Sequence, residues 1–227
     1  MKRNFHYLTA ALTLAAAGPV CAQTSMTTQA APNARSQRLV KPVQKLRLED
    51  YPRIFDLVPD DAALVALDQV NKYKDPILAE LNQTRSYYRV FQIEKDGRLT
   101  LLASTVGAKN RKYVVQSDFT QYADKIVDGT PQRVGYLIRI QSDFDSLSNN
   151  LDLSGIFPLG VAAKANKISG TLSVQVHGLS GQKIGTLVGQ PFALSDESLM
   201  KAIESAVILR SKVTEDGIFL LPAVLPD

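Results

Sequence analysis

The sequence predicts an α+β domain: a mainly antiparallel sheet with two short helices before it and one longer amphipathic helix after it. Three segments carry this prediction, namely a hairpin at 87–105, a strand at 168–177 and a helix that begins after Ser195. Strands joined by tight turns pair in antiparallel fashion, and a helix with one apolar face needs a surface on which to bury that face. A helix packed on an antiparallel sheet satisfies both requirements.

The hairpin is the clearest local signal. Residues 87–94 and 98–105 are β-prone runs joined by Lys95-Asp96-Gly97. Glycine adopts the left-handed backbone conformation without a steric cost, so Gly97 suits the last position of a three-residue hairpin loop.

Strict alternation marks the strand at 168–177, where apolar residues and polar residues take turns along the chain. This period predicts one buried face and one face in water. Further strands are expected at 112–117 and 133–141, followed by a long polar loop at 141–155. The small residues of 160–167 are compatible with a strand that pairs with 168–177 or continues it.

Helices are expected before and after the strands in the sequence. Before them, two acids precede an apolar repeat at 62–73, and a capping Asp75 with Pro76 predicts a second short helix at 77–83. After them, Ser195 opens a longer helix whose apolar stripe consists of Leu199, Ala202, Ile203, Ala206, Val207 and Val213. A closing strand at 218–224 contains Pro222, which predicts a sheet edge.

The first 22 residues have the three parts of an export signal. Lys2 and Arg3 give a positive start, 8–17 is an apolar run, and Val20-Cys21-Ala22 is a small-residue cleavage site. The apolar run is too short to span a bilayer, so no transmembrane helix is expected after cleavage. The protein is expected to be periplasmic or secreted. An alternative is that Cys21 carries a lipid anchor.

The mature chain divides into a basic leader at 23–45 and a single domain at 46–227. The segment from 23 to 48 contains five basic residues and no acid, whereas the rest of the mature chain carries slightly more acids than bases. These five residues are the predicted binding residues: Arg35, Arg38, Lys41, Lys45 and Arg47. After export, their anionic partners would be an envelope protein or an anionic envelope surface rather than nucleic acid. A short strand is expected at 46–48.

Residues suited to catalysis are scarce. The mature chain keeps one histidine, His177, with Ser180 close by in sequence, and the nucleophile-elbow pattern G-x-S-x-G fails there because Gln182 follows Gly181. The sequence shows neither a zinc-binding pattern nor a phosphate-binding glycine loop, so we expect neither a metal nor a cofactor.

The sequence therefore indicates an exported, non-catalytic binding or structural component of the bacterial cell envelope. Two alternatives stay open: an exported hydrolase that uses Ser180 with His177, and a secreted pore-forming protein that uses 160–176.

Overall fold

The computed structural model describes residues 43–47, 50–58, 72–103, 105–188 and 190–226. The predicted export signal lies outside these residues, as does the expected helix at 62–73 apart from its last two residues. The α+β prediction is confirmed, since the described part is mainly antiparallel sheet with several helices.

The strands of the described part are β1 Gln44–Lys45, β2 Gln83–Ile93, β3 Leu99–Leu101, β4 Val106–Gly107, β5 Lys112–Val127, β6 Thr130–Ser146, β7 Leu151–Asp152, β8 Ile168–His177, β9 Leu179–Ser180, β10 Phe192–Ala193, β11 Phe219–Leu220 and β12 Ala223–Val224. The helices are α1 Tyr51–Ile54, α2 Lys74–Glu80, α3 Ile156–Lys164, α4 Gln182–Leu187 and α5 Asp196–Lys212.

Eight strands form one antiparallel sheet around the long β5–β6 hairpin. The hairpin turns at Asp128 and Gly129, both with positive φ (50° and 72°), as a two-residue hairpin loop requires. On the outer side of β5 lie β2 and then β3. The free edge of β6 is shared: its first part pairs with β12, and its second part pairs with β8. β1 extends the sheet beyond β12, and β10 extends it beyond β8.

The 87–105 hairpin is confirmed, with the predicted loop. Gly97 has a φ of 82° and donates its backbone N–H to the Glu94 carbonyl at 2.8 Å. The second strand is shorter than expected and comprises only β3. The helix expected at 77–83 is α2, which begins at Lys74 and ends at Glu80, so that Gln83 already belongs to β2.

The long polar loop predicted at 141–155 is wrong. β6 continues to Ser146, and β7 pairs with β4 in a separate two-stranded sheet. The prediction failed because polar side chains on both faces of β6 are buried here: Gln141 and Ser142, which point to opposite faces, are 5% and 2% exposed.

The stretch at 160–167 is also not a strand. It forms the second half of α3 and the turn that leads into β8. Its small residues allow close packing, because a Cβ atom on Gly160 would lie 2.7 Å from the Asp196 carboxylate at the start of α5. The residues suggested for a pore, 160–176, are therefore divided among the end of α3, a turn and β8.

The first and the last predicted strands both lie at positions other than those predicted. The short strand expected at 46–48 lies earlier, at Gln44–Lys45. The strand expected at 218–224 is split at Pro222: β11 pairs with β9, whereas β12 lies between β1 and β6 and is not an edge. Proline has no backbone N–H to donate, so the chain changes partner at this residue.

The main core lies between one side of the sheet and α5. Alternate residues of β5, β6 and β8 face the helix, among them Tyr113, Val115, Tyr136, Ile138, Phe144, Leu172 and Val174. From α5, Leu199, Ala202 and Leu209 are buried in this core. Of the predicted stripe, Leu199, Ala202 and Val213 are buried, and Ile203 and Ala206 are partly buried against the core. Val207 is 63% exposed.

A capping box fixes the start of α5. Ser195 Oγ accepts a hydrogen bond from the Ser198 backbone N–H at 3.0 Å, and Ser198 Oγ accepts one from the Ser195 backbone N–H at 2.9 Å.

Replacing Ser195 with alanine is expected to lower the free energy of unfolding by about 1 kcal/mol, measured by urea unfolding, because helix-start N–H groups lose their acceptor. Ser211→Ala, near the other end of α5, should change it by less than about 0.5 kcal/mol. Equal stability of the two variants would contradict the cap.

Candidate functional site

The last part of the predicted basic leader is attached to the sheet. Arg35, Arg38 and Lys41 lie outside the described residues. Lys45 lies in β1, opposite Ala223 of β12, so the sheet begins before the expected domain boundary at 46. Its side chain is exposed.

Arg47 follows β1 and is held by a neighbouring acid. Its Nε and Nη2 atoms both donate to the Asp50 carboxylate at 3.0 Å. The Arg47 side chain is nevertheless 75% exposed, so this surface pair contributes little to stability.

A cleft of about 350 Å³ opens beside these residues. It lies between β1, α1 and the turn that joins β5 to β6, and Lys45, Arg47, Asp50, Arg53 and Asp128 line it. The volume is at the lower end of the range for small-molecule sites. Three cations and two carboxylates line the cleft, which makes its wall mildly positive.

The side of the sheet that faces away from α5 is rich in charged and polar groups. Successive side chains of a strand point to opposite faces, so the residues between those of the main core share this second face. We call it the polar face, and define it by Arg85, Tyr87, Arg89, Gln116, Asp118, Tyr122, Arg133, Arg139, Gln141 and His177. Most of these residues are buried or half-buried.

Asp118 occupies the centre of the polar face. Its side chain is 1% exposed and accepts two hydrogen bonds from Arg139, at 2.7 and 2.8 Å, in a bidentate pair. Arg89 donates a further hydrogen bond to Asp118 at 3.1 Å. A buried ion pair is weak evidence for stability, but removal of one partner leaves an uncompensated buried charge. These hydrogen bonds link β2, β5 and β6 on the polar face.

A row of amides continues the polar face toward the end of β6. Gln116 Nε2 donates to Gln141 Oε1 at 3.0 Å, and Gln141 Nε2 donates to the Asp143 carboxylate at 3.3 Å. Burial raises the pKa of Asp143, and the hydrogen bond from Gln141 opposes that shift. No donor of the described residues reaches Gln116 Oε1, although Gln116 is fully buried.

Two arginines meet at one tyrosine toward the opposite end of the polar face. Arg85 from β2 and Arg133 from β6 each donate a hydrogen bond to the Tyr87 hydroxyl at 3.3 Å. Both guanidinium groups also lie over the ring of Tyr122, 5.9 and 5.5 Å from its centroid. Arg89 in turn lies 5.1 Å from the centroid of the Tyr87 ring. Aromatic faces attract cations, so the two rings hold three guanidinium groups close together.

His177 lies at the end of β8, on the polar face. Burial lowers its pKa, Arg139 and Lys45 lower it further, and Asp118 opposes them. A lowered pKa means that the imidazole is mostly neutral at pH 7. Ser180 is exposed in β9, and no hydrogen bond joins its hydroxyl to His177 among the described residues.

No group of three or more His, Cys, Asp or Glu side chains within the described ranges is arranged to hold a metal ion. The helices of this part of the chain are all too short or too polar to cross a membrane.

Comparison with known proteins gives no relative: no protein-family model, no curated protein and no solved structure matches this chain.

The arginines of the polar face are the residues that sequence reasoning missed. Their signal is an alternation in β2, where Arg85, Tyr87, Arg89 and Phe91 occupy every second position. Period-two alternation normally separates apolar from polar residues, but here the polar members include long aromatic and guanidinium side chains. Only the register with β5 and β6 shows that they meet Asp118 and Arg133.

Proposed function

We propose that this protein is an exported, non-catalytic binding component of the bacterial cell envelope. It acts in the periplasm or outside the cell, through contact with an anionic envelope partner. The predicted export signal supports the location, and the basic leader supports the sign of the partner's charge.

The observation that carries the proposal is the attachment of the leader to the sheet at Lys45. Pairing of β1 with β12 holds this cation beside the cleft. Lys45 lies opposite Ala223, which in turn lies opposite Gly135 of β6, so Lys45 shares the face of the sheet that carries Arg133 and Arg139. The end of the leader therefore lies beside a face of the sheet that carries several arginines. A partner bound by the leader would contact the leader and this face.

Attraction between exposed charges weakens as salt screens them. We therefore expect the mature protein to sediment with envelope fractions at low ionic strength and to be released as the ionic strength rises. Replacing Arg35, Arg38, Lys41, Lys45 and Arg47 by Gln should abolish this salt-sensitive association, measured by cosedimentation.

The matched control removes five exposed cations from other surfaces, so that the net charge changes equally: Lys95, Lys109, Arg111, Lys164 and Lys167. This variant should keep its association with the envelope. If both variants lose association to the same degree, only net charge matters and the leader has no specific role. If neither does, the proposal fails.

A further inference from the structure

We infer that two copies of this chain pair through the free edge of β2 and form a symmetric dimer. β5 pairs with β2 along its whole length, whereas β3 pairs with only 91–93. The Leu102 N–H donates to the Val90 carbonyl at 2.8 Å, where this second pairing ends. The outer edge of residues 83–89 therefore has no neighbouring strand in the described part of the chain.

The backbone groups at this edge point outward. The Val90 carbonyl and the Glu94 N–H both bond on the side of β3. The N–H and the carbonyl of one residue point to the same side of a strand, and the side alternates along the chain. The register of β2 with β5 is unbroken, so the backbone groups of Thr84, Ser86 and Tyr88 also point away from β5. No backbone group of the described residues bonds to them, and Thr84 and Ser86 are exposed.

This edge is not protected against pairing. Sheet edges are commonly protected by proline, by bulges or by charged side chains, above all lysine. Residues 83–89 contain neither proline nor lysine, and the strand has no bulge. Its two arginines are turned toward β5: Arg85 lies 5.9 Å from the centroid of the Tyr122 ring, and Arg89 hydrogen-bonds with Asp118 at 3.1 Å. The backbone of the edge is therefore accessible to a second strand.

The side chains of the edge complement those of a second copy. When two antiparallel copies of β2 place Ser86 opposite Ser86, Arg85 lies opposite Tyr87 of the second copy, and Arg89 lies opposite its Gln83. Aromatic rings attract guanidinium groups, so this register is favourable. A two-fold axis at Arg85 or at Tyr87 would instead place Arg85 opposite Arg85 or opposite Arg89, where like charges repel. The strand thus complements itself in the register centred on Ser86.

This register also satisfies the outward backbone groups. Ser86 pairs with Ser86 of the second copy, and Thr84 pairs with Tyr88 in both directions. Residues that face each other in this way exchange two hydrogen bonds per pair. The same patch serves both copies, as two-fold symmetry requires, and the two sheets become one continuous antiparallel sheet. The dimer uses the backbone of β2 and not the basic leader, so it stands or falls independently of the proposed function.

Sedimentation velocity of the purified protein between about 1 and 100 μM tests the dimer, since this range covers micromolar dissociation constants. We expect the dimer fraction to rise with concentration. Ser86→Pro removes the outward N–H at the two-fold axis, and proline is tolerated on an edge strand where the N–H faces solvent. It should raise the dimer dissociation constant at least about tenfold, because two backbone hydrogen bonds are lost. Ser86→Thr keeps the N–H and should dimerise as the parent does.

A disulfide tests the register independently of the proline. In a Cys21→Ser background, an added cysteine is the only one in the chain. Facing Cα atoms of such a pair are about 5.5 Å apart, within disulfide range, so Ser86→Cys should form a covalent dimer under mild oxidation. Thr84→Cys is the matched control on the same edge. The two copies of Thr84 would be about 14 Å apart along the strands, too far to be bridged.

A parent protein that stays monomeric over the whole range overturns the inference and leaves the edge to an extended segment of another protein. A folded Ser86→Pro variant that dimerises as well as Ser86→Thr also overturns it. If Ser86→Pro does not fold, the cysteine pair decides. Preferential crosslinking of Ser86→Cys supports the dimer, whereas crosslinking that is absent, or equal for Thr84→Cys, contradicts it.

Discussion

Replacing Asp118 with alanine is expected to lower the free energy of unfolding by about 3–5 kcal/mol. Arg139, which is 4% exposed, would then keep its charge in the polar face without the carboxylate that accepts its two shortest hydrogen bonds. The measurement is the urea-unfolding free energy of the purified protein.

Two further variants test this explanation. Adding Arg139→Met to Asp118→Ala should recover part of the lost stability, because no uncompensated charge remains buried at position 139. Asp145→Ala is the matched control: this carboxylate of β6 also pairs with a cation across the β5–β6 hairpin, Lys112 at 3.7 Å, but both side chains are about half exposed. It should cost less than about 1 kcal/mol. If Asp118→Ala is as mild as Asp145→Ala, the central ion pair is not a structural determinant.

Replacing Gly135 with alanine is expected to lower the free energy of unfolding by at least about 3 kcal/mol, the upper end of the range for overpacked sites. A Cβ atom on Gly135 would lie 2.1 Å from the Gln121 carbonyl oxygen and 2.7 Å from the Tyr122 Cα atom. Both contacts are with backbone of the adjacent strand, which cannot rotate away as a side chain does. β5 and β6 would have to separate where β12 also pairs with β6.

Gly185→Ala provides the control for the glycine substitution. Gly185 lies in α4, and a Cβ atom there would have no neighbour within 4 Å. Alanine has the higher helix propensity, so this variant should be unchanged or more stable by up to about 1 kcal/mol. Thermal and urea unfolding of the pair check both expectations. Similar stabilities for the two variants would show that β5 and β6 are not in close contact at Gly135.

Predictions that depend on neighbouring residues in the sequence were accurate. The loop around Gly97 and the start of α5 at Ser195 are both as expected, because a turn or a helix cap is defined by a few consecutive residues. The alternation at 168–177 likewise gave the correct buried face, with Leu172 and Val174 in the core.

Predictions that assigned a segment's structure from the polarity or size of its side chains alone were wrong. Gln141 was placed at the start of a loop, yet it lies inside a long strand and hydrogen-bonds with Gln116. The small residues after Gly160 were compatible with a strand, yet they form a helix because α3 packs closely on α5. In each case the partner is distant in sequence: Gln116 hydrogen-bonds with Gln141, and Asp196 of α5 packs against Gly160.

The same reasoning applies to the surfaces of the protein. The basic leader is evident from the sequence, since an acid-free run of cations is a local property. The meeting of Arg85 with Arg133 at Tyr87 is not, because the residues lie on different strands.

The sequence by itself determined the class of fold, the confirmed hairpin, the cap of the last helix and the composition of the leader, since each depends on residues close together in the chain. Only the tertiary structure decided which polar residues are buried together. Strand register sets those contacts, and register depends on the pairing of whole strands across the sheet. It brings Asp118 to Arg139, and Tyr87 to two arginines, at positions that the sequence separates by 21 and by up to 46 residues.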